Sequence, residues 1–468
     1  MKRMRLLALL LSLLLALNAL VPPGGAGAAV YLDPDLQATL AATSDGQIEA
    51  IVNYDPLLTT GAVLTGAIQD LGAGTITFNN LDSVAVIGTA SQIKLIAALA
   101  GVTGLYANTQ QEYFLHESVP FIGADRAWNE LGVTGQGIGV AVLDSGVDAG
   151  HPDLAYGAKT VQNVKIIADP TAVYNFKGRA NRTLYLENQT NTDTSSGHGT
   201  HVAGIVAGSG AASGGYYTGV AKDAHLLGIG AGDALFITWA LAGFDYLLDN
   251  AGHYNIKAVN NSWGSTRKAE RYDPEHPINK ASKKAHDRGI TVVFSAGNSG
   301  PAPDTMNHYA MAPWVVSVAA GCKPQHAGTR RCPDGYLAAF SSRGVADHPT
   351  AHPTLTAPGV LIASDRASTG STINALTASS DLTGCVKAEY VAHYTCASGT
   401  SMASPHVAGA VALMQQAASG TLTPDRAKDI LVQTATPMVK TDGTPYGLWE
   451  AGAGYLDAYA AVQASTAR

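Results

Sequence analysis

Charged side chains are few in this sequence. Asp, Glu, Lys and Arg make up 14% of its 468 residues, and the formal net charge is -7. A chain this poor in positive charge lacks the basic surface a polyanion requires, so nucleic acid is not an expected partner. Cysteine is scarcer still. Cys322, Cys332, Cys385 and Cys396 do not accompany a histidine in a recognisable motif, so cysteine catalysis is not expected. His151, His201 and His225 form no tetrahedral ligand set and are expected in turns or in the core rather than on zinc. After residue 28 no apolar run is long enough to cross a bilayer. Small residues are abundant: there are 51 Gly, Ala recurs throughout, and apolar runs return at regular intervals. That pattern predicts a closely packed α/β architecture rather than disorder, long enough for one large domain and a smaller one.

Met1 to Ala28 reads as an export signal. Lys2, Arg3 and Arg5 form its charged start, Leu6 to Leu20 its apolar core, and Val21-Pro22-Pro23 breaks the run before the cleavage pattern Ala26-Gly27-Ala28. The competing reading, a membrane anchor, is disfavoured because the apolar core is short for a span. Export and an even cysteine count predict two disulfides, and 322 with 332 plus 385 with 396 is the simplest of the three connectivities. Residues 29–115 then form a small module. Ile48 to Val52 alternates like a strand, Leu57 to Leu71 has helical spacing, and Thr75 to Phe78 and Val84 to Ile87 read as a strand pair. Ser91 is positioned to cap a helix through Ala100, and Val102 to Tyr106 is a last strand. The order βαββαβ is the ferredoxin-like pattern.

Four stretches further on carry chemistry. Gly139-Val140-Ala141-Val142-Leu143 is a buried-strand run that delivers Asp144 to its carboxyl end, where sites in α/β sheets collect. Gly197-His198-Gly199-Thr200-His201 leads a histidine into a small-residue helix. Val292 to Gly297 runs a strand into Asn298. Ser398-Gly399-Thr400-Ser401-Met402-Ala403-Ser404-Pro405 sets a serine at the first turn of an apolar helix, where unpaired N–H groups and the macrodipole favour a developing negative charge. Pro405 sits early in that helix, where a missing N–H costs least, and Gly409 leaves room for tight packing against a sheet. Singly, each has an ordinary reading as a cap or a turn. Jointly they supply nucleophile, base, orienting carboxylate and oxyanion donor.

In the order Asp, His, Asn, Ser, these motifs resemble the signatures of the subtilisin-like (subtilase) serine endopeptidases, over most of the chain after about residue 116. The resemblance implies a doubly wound, mainly parallel α/β sheet with helices on both faces. It implies a secreted endopeptidase acting on proteins or peptides, monomeric, and free of the membrane once its signal is removed. No cofactor is required for the chemistry. By resemblance Ser401 is the nucleophile, His198 its base, Asp144 the carboxylate that holds the imidazole, and Asn298 with the Ser401 N–H the oxyanion hole. Ser262-Trp263-Gly264 resembles the segment on which a substrate backbone pairs as an added strand, and Trp263 either lines a pocket or packs beneath the sheet. Asn307 is placed by the resemblance near the base of the first pocket.

Residues 29–115 resemble the family's inhibitory propeptide. The expected parts are therefore signal 1–28, propeptide 29–115 acting as intramolecular inhibitor, and catalytic domain 116–468. Cleavage near Leu115/His116 would seat Leu115 in the selecting pocket, which predicts a preference for large apolar residues there. Structural calcium is an expectation of the family through Asp153, Glu117 and a loop after the His198 helix. The loop here, Gly208 to Gly215, lacks the usual asparagines, so only two side chains serve an ion that takes six to eight oxygens. The alternatives are an inert subtilase-like binding or scaffold protein, against which every catalytic group is present, and the acid-acting sedolisin group, which has Glu where His198 stands.

Overall fold

The structure is a computed structural model that describes residues 30–43, 46–77, 82–107, 118–167, 184–232, 236–265, 272–348, 350–369, 372–375 and 385–466. The segment expected to be an export signal, Phe78, the expected junction Leu115/His116 and Glu117 lie outside the described residues. The chain divides into two compact units after residue 112.

In the first unit, Gln47–Tyr54 lies between Ser83–Thr89 and Val102–Ala107, antiparallel to both, with Gly74–Thr77 outside Ser83–Thr89. With the helices Gly61–Asp70 and Ala90–Ile96, this is the expected βαββαβ order. Alternation along Gln47–Tyr54 buries Ile48, Ala50 and Val52 on one face, together with Ile68 and Ile93 from the helices. Thr89 caps the second helix, in place of the expected Ser91. Its Oγ1 accepts from Gln92 N–H at 3.3 Å, while Gln92 Oε1 accepts from Thr89 N–H at 2.7 Å, the reciprocal pairing that the Thr-x-x-Gln spacing provides. The pattern had not predicted Pro34–Ala42, a helix capped by Asp33 with proline at its start, nor the short strand Tyr31–Leu32.

The second unit is built on eight strands, in the order Leu355–Pro358, Val315–Gly321, Thr291–Ser295, Ile256–Asn261, Gly139–Asp144, His225–Gly230, Thr160–Ile167, Leu184–Leu186. All neighbours are parallel except the last pair. The chain builds one wing from His225–Gly230 and Thr160–Ile167, then crosses to build the other outward from Ile256–Asn261, so Gly139–Asp144 stands where the winding reverses. Ligand sites of open α/β sheets form at that place, beyond the carboxyl ends of the strands.

Within Gly139–Asp144 every residue is buried, because both faces are covered. Val140 and Val142 join the core that holds the helices His198–Ala207 and Thr400–Ala417. Ala141 and Leu143 join the opposite core, with Ile237–Asn250 and Pro277–Asp287. Fully burying each Val or Leu contributes roughly 1.5–3 kcal/mol relative to exposure. Gly409 serves a different contact from the one expected: a Cβ there would come within 2.6 Å of Val220 Cβ and 3.0 Å of the Val206 carbonyl, so its bareness seats the Ser401 helix against the His198 helix rather than a sheet. Cys322–Cys332 and Cys385–Cys396 are bonded in the simplest pairing.

Candidate active site

Asp144 ends its strand 4% exposed at the carboxyl edge of the sheet. Its Oδ1 accepts from the Ser145 N–H at 2.8 Å and lies 2.7 Å from His198 Nδ1. An ionised carboxylate only accepts, so Nδ1 carries the proton and Nε2 keeps the lone pair of a base. His198 opens the helix His198–Ala207, and its side chain is 28% exposed. Burial opposes charging this imidazole. The charge and hydrogen bond of Asp144, with the charge of Asp193 behind them, outweigh it and hold the His198 pKa above its usual value.

Asp193 is a residue the sequence reading missed. It is fully buried, and its Oδ1 accepts from Gly197 N–H at 2.8 Å and from the Ser145 hydroxyl at 3.1 Å. Oδ2 accepts from the N–H and the hydroxyl of Thr200, at 3.0 and 2.6 Å. Ser145 Oγ in turn accepts from Gly199 N–H at 2.9 Å. N–H groups at the start of the His198 helix, which have no partner within the helix, thus find oxygens. The available signal was a carboxylate in the loop just before a helix start, the position capping logic favours.

Ser401 is the second residue of Thr400–Ala417, so its N–H has no acceptor within the helix. Its hydroxyl donates to the Ser262 carbonyl at 3.0 Å. Pro405 is the sixth residue of this helix, further in than a costless position. Lacking an N–H, it leaves the Ser401 carbonyl without its usual i+4 donor. Ser262 Oγ fills that vacancy at 2.8 Å. Since a carbonyl only accepts, Ser262 gives its one proton there, and Asn260 Nδ2 at 2.9 Å and the Ser404 hydroxyl at 2.8 Å donate to it.

Asn298 follows the strand Thr291–Ser295 and is exposed. Its Oδ1 accepts from Thr400 N–H at 2.9 Å and from the Thr400 hydroxyl at 2.8 Å. A backbone N–H can only donate, so this contact fixes which end of the amide faces Thr400 and turns Nδ2 the other way, near the start of the serine helix.

The segment named for substrate is held from both sides. Trp263 packs rather than standing open: its Nε1 donates to the Leu143 carbonyl at 2.8 Å, and its ring meets Phe294 and Tyr309 edge-on at 5.0 and 5.8 Å between centroids. Asn307, 4% exposed, donates from Nδ2 to the Trp263 and Ser295 carbonyls at 2.9 and 3.0 Å, clamping two strand ends together. Gly264 is exposed at the end of this segment.

Among the described residues, Asp153 and the loop after the His198 helix do not fit the family's calcium. Asp153 Oδ1 accepts from the Ala212 N–H at 2.8 Å and Oδ2 from the Tyr394 hydroxyl at 2.7 Å, so the loop turns a donor, not a carbonyl, toward the carboxylate. The Gly208 and Gly210 carbonyls are already used within the loop by Gly219, Ser213 and Gly215 N–H groups. Of the histidines, His201 is a core residue as expected. Its Nε2 is 3.1 Å from both the Ile362 and Thr395 carbonyls, and burial drives its pKa down to about 3.

The Subtilase family pattern matches residues 135–455, and the chain belongs to that family. It is similar to Serine protease AprX of Bacillus subtilis (strain 168), 31% identical over 382 residues that cover 79% of this chain and 78% of that protein. It is also similar to Subtilisin E of Bacillus subtilis (strain 168), 29% identical over 341 residues, 70% of each. Among solved structures, fervidolysin from Fervidobacterium pennivorans, a keratinolytic enzyme related to subtilisin, matches with a TM-score of 0.54 at 21% identity, over 95% of this chain and 64% of that one, a likeness of fold. The protein is a serine endopeptidase.

Proposed function

We propose that the protein is an exported, self-processing precursor whose unit from residue 116 onward cuts peptide bonds through an acyl-enzyme on Ser401. The observation that carries this reading is the placement of Ser401 at an open helix start, with its hydroxyl on the Ser262 carbonyl and the Asn298 amide oriented by Thr400 beside it. A substrate pairing along Ser262 to Gly264 brings its own N–H to that carbonyl, which releases the Ser401 hydroxyl to His198. Ser401 Oγ then bonds to the peptide carbonyl carbon while its proton passes to His198 Nε2. The carbonyl oxygen, now negative, takes hydrogen bonds from the Ser401 N–H and Asn298 Nδ2. Collapse breaks the C–N bond, and the leaving amine takes the proton from His198. Water repeats the sequence, giving the free acid and restoring Ser401.

Residues 29–115 act as the intramolecular inhibitor and folding template. Their sheet exposes apolar side chains on the face opposite its helices, with Ile76, Ile87 and Tyr106 at 66%, 40% and 38%, the kind of patch proteins keep for binding. Release near Leu115/His116 follows export, and large apolar residues are preferred before the cut bond. Substituting Ser401→Ala in the full chain tests the whole reading. The variant is expected to keep its N-terminal region and leave casein intact, while N-terminal sequencing of the parent starts within a few residues of His116. A variant that matures and cleaves casein like the parent overturns the nucleophile, and a parent starting elsewhere overturns the junction.

A further inference from the structure

A second group of polar atoms converges in the interior of the catalytic unit. His151, Asp153 and Asp365 are 5%, 0% and 1% exposed, and each contributes one ligand-type atom to a set whose members all lie within 4.8 Å of one another. His151 and Asp153 sit in the turn that follows the Asp144 strand, around the short helix Pro152–Leu154. Asp365 ends the strand Ile362–Asp365, which pairs with Tyr394–Ala397 next to the Cys385–Cys396 disulfide.

Hydrogen bonding fixes what each atom presents. His151 Nε2 is 2.8 Å from the His393 carbonyl, which only accepts, so the proton is on Nε2 and Nδ1 shows a lone pair. That lone pair accepts weakly from Asp153 N–H at 3.2 Å and stands 3.7 Å from Asp365 Oδ2. Asp365 Oδ2 is buried without a hydrogen-bond partner among the described residues. Asp153 receives one donor on each oxygen, which leaves each a further lone pair. Asp365 Oδ2 therefore faces Asp153 and the His151 nitrogen with nothing to accept except a proton shared with Asp153 or a cation. The Lys159 ammonium donates to the Lys222 and Ala224 carbonyls, and its charge acts on Asp153 and Asp365 from a distance rather than through a hydrogen bond among the described residues. Two carboxylates this close, away from water, call for a positive charge between them.

We propose that His151, Asp153 and Asp365 bind one divalent transition-metal ion of the Zn2+ type. One imidazole and two carboxylates are a nitrogen-and-oxygen donor set suited to such an ion, whose charge cancels theirs. The 3.7 Å between Nδ1 and Oδ2 is near the ~3.4 Å edge of a tetrahedron with bonds of about 2.1 Å. The His151 ring is already held through its other nitrogen by a carbonyl, as ligating histidines are. The ion's role is structural. Ser364, beside Asp365, donates to the His201 carbonyl at 2.8 Å, so the site ties the turn after Asp144 to the helix that begins at His198.

The full chain carrying Ser401→Ala, which keeps it from digesting itself, is purified without a polyhistidine tag, exposed to Zn2+, and freed of loosely held ions for metal analysis. About one equivalent per chain is expected, with a melting temperature that falls under dipicolinate and recovers with Zn2+. The nearly isosteric Asp365→Asn is expected to hold background metal only and to melt at one temperature in either reagent. A chain that takes up no Zn2+, Mn2+ or Co2+ and melts unchanged with chelator overturns the proposal without recourse to any site variant, and points to a proton shared by the carboxyls. An Asp365→Asn chain that keeps a full equivalent overturns it as well.

Discussion

Asp144 with His198, and Asp365 with His151, set the same two functional groups against each other to opposite effect. In the first pair the contact is 2.7 Å, the imidazole is 28% exposed, and the nitrogen opposite the carboxylate is left as a base. In the second the groups are 3.7 Å apart, the imidazole is 3% exposed, and its outer nitrogen is held by the His393 carbonyl. Burial opposes charge in both. At His198 the carboxylate wins and the pKa rises, whereas at His151 burial wins and the pKa falls. A histidine beside an aspartate is therefore no function by itself. What decides is whether the far nitrogen can reach a reactant.

The largest effect that tests this contrast is His198→Ala. Turnover of a peptide substrate, measured against active-site concentration, should fall by about 10⁶, with the melting temperature little changed because the side chain is partly exposed. Asp144→Asn should cost ~10⁴, since the amide no longer enforces the tautomer that leaves Nε2 free. Asn298→Ala should lower kcat by ~10²–10³ with KM nearly unchanged, because its Nδ2 acts on the oxyanion rather than on the bound peptide. The figures for His198 and Asn298 are those of subtilisin.

The pH profile follows from the same balance. Only neutral His198 accepts the serine proton, and its pKa is raised, so kcat/KM should climb with pH along a limb centred above 6.5. Asp193→Asn removes a charge that raises that pKa, and the limb should move to lower pH. A limb that stays put would make Asp193 a helix cap and nothing more.

Asp144, His198, Ser401 and Asn298, the residues proposed as catalytic, stood out as a candidate set because each sits in a short, local pattern of glycines and small residues at an element boundary. The alternating parallel sheet was legible for a similar reason, since Gly139 to Leu143 and Val292 to Phe294 are apolar without interruption. Asp193 had only its place before a helix start to mark it: Gly197 and Thr200 are local partners of an ordinary cap, and Ser145, which ties it to the turn after Asp144, comes near only when those segments meet. Asp365 was invisible for a stronger reason: it reaches His151 only through a strand that folds back more than 200 positions later. The helix Pro34–Ala42 was readable in principle from Asp33-Pro34, but its burial is sparse and no apolar period announced it.

Ser262 straddles the two regions of the contrast, being 3% exposed like the interior cluster yet bonded to the nucleophile's own carbonyl. Ser262→Ala should therefore act modestly on both scales. Stability by urea unfolding should drop by roughly 1–3 kcal/mol, because a buried carbonyl loses its donor, and kcat should fall by less than in Asn298→Ala as the helix start loosens. The cause is specific enough to be reversed. Pro405→Ala supplies the N–H that proline withholds, so in the Ser262→Ala background it should recover most of the loss, while in the parent, where Ser262 already satisfies the carbonyl, it should change little. The coupling between the two substitutions, at least about 0.5 kcal/mol on a double-mutant cycle, is the quantity to measure. If the two effects simply add, Ser262 is holding something other than the carbonyl that Pro405 leaves open.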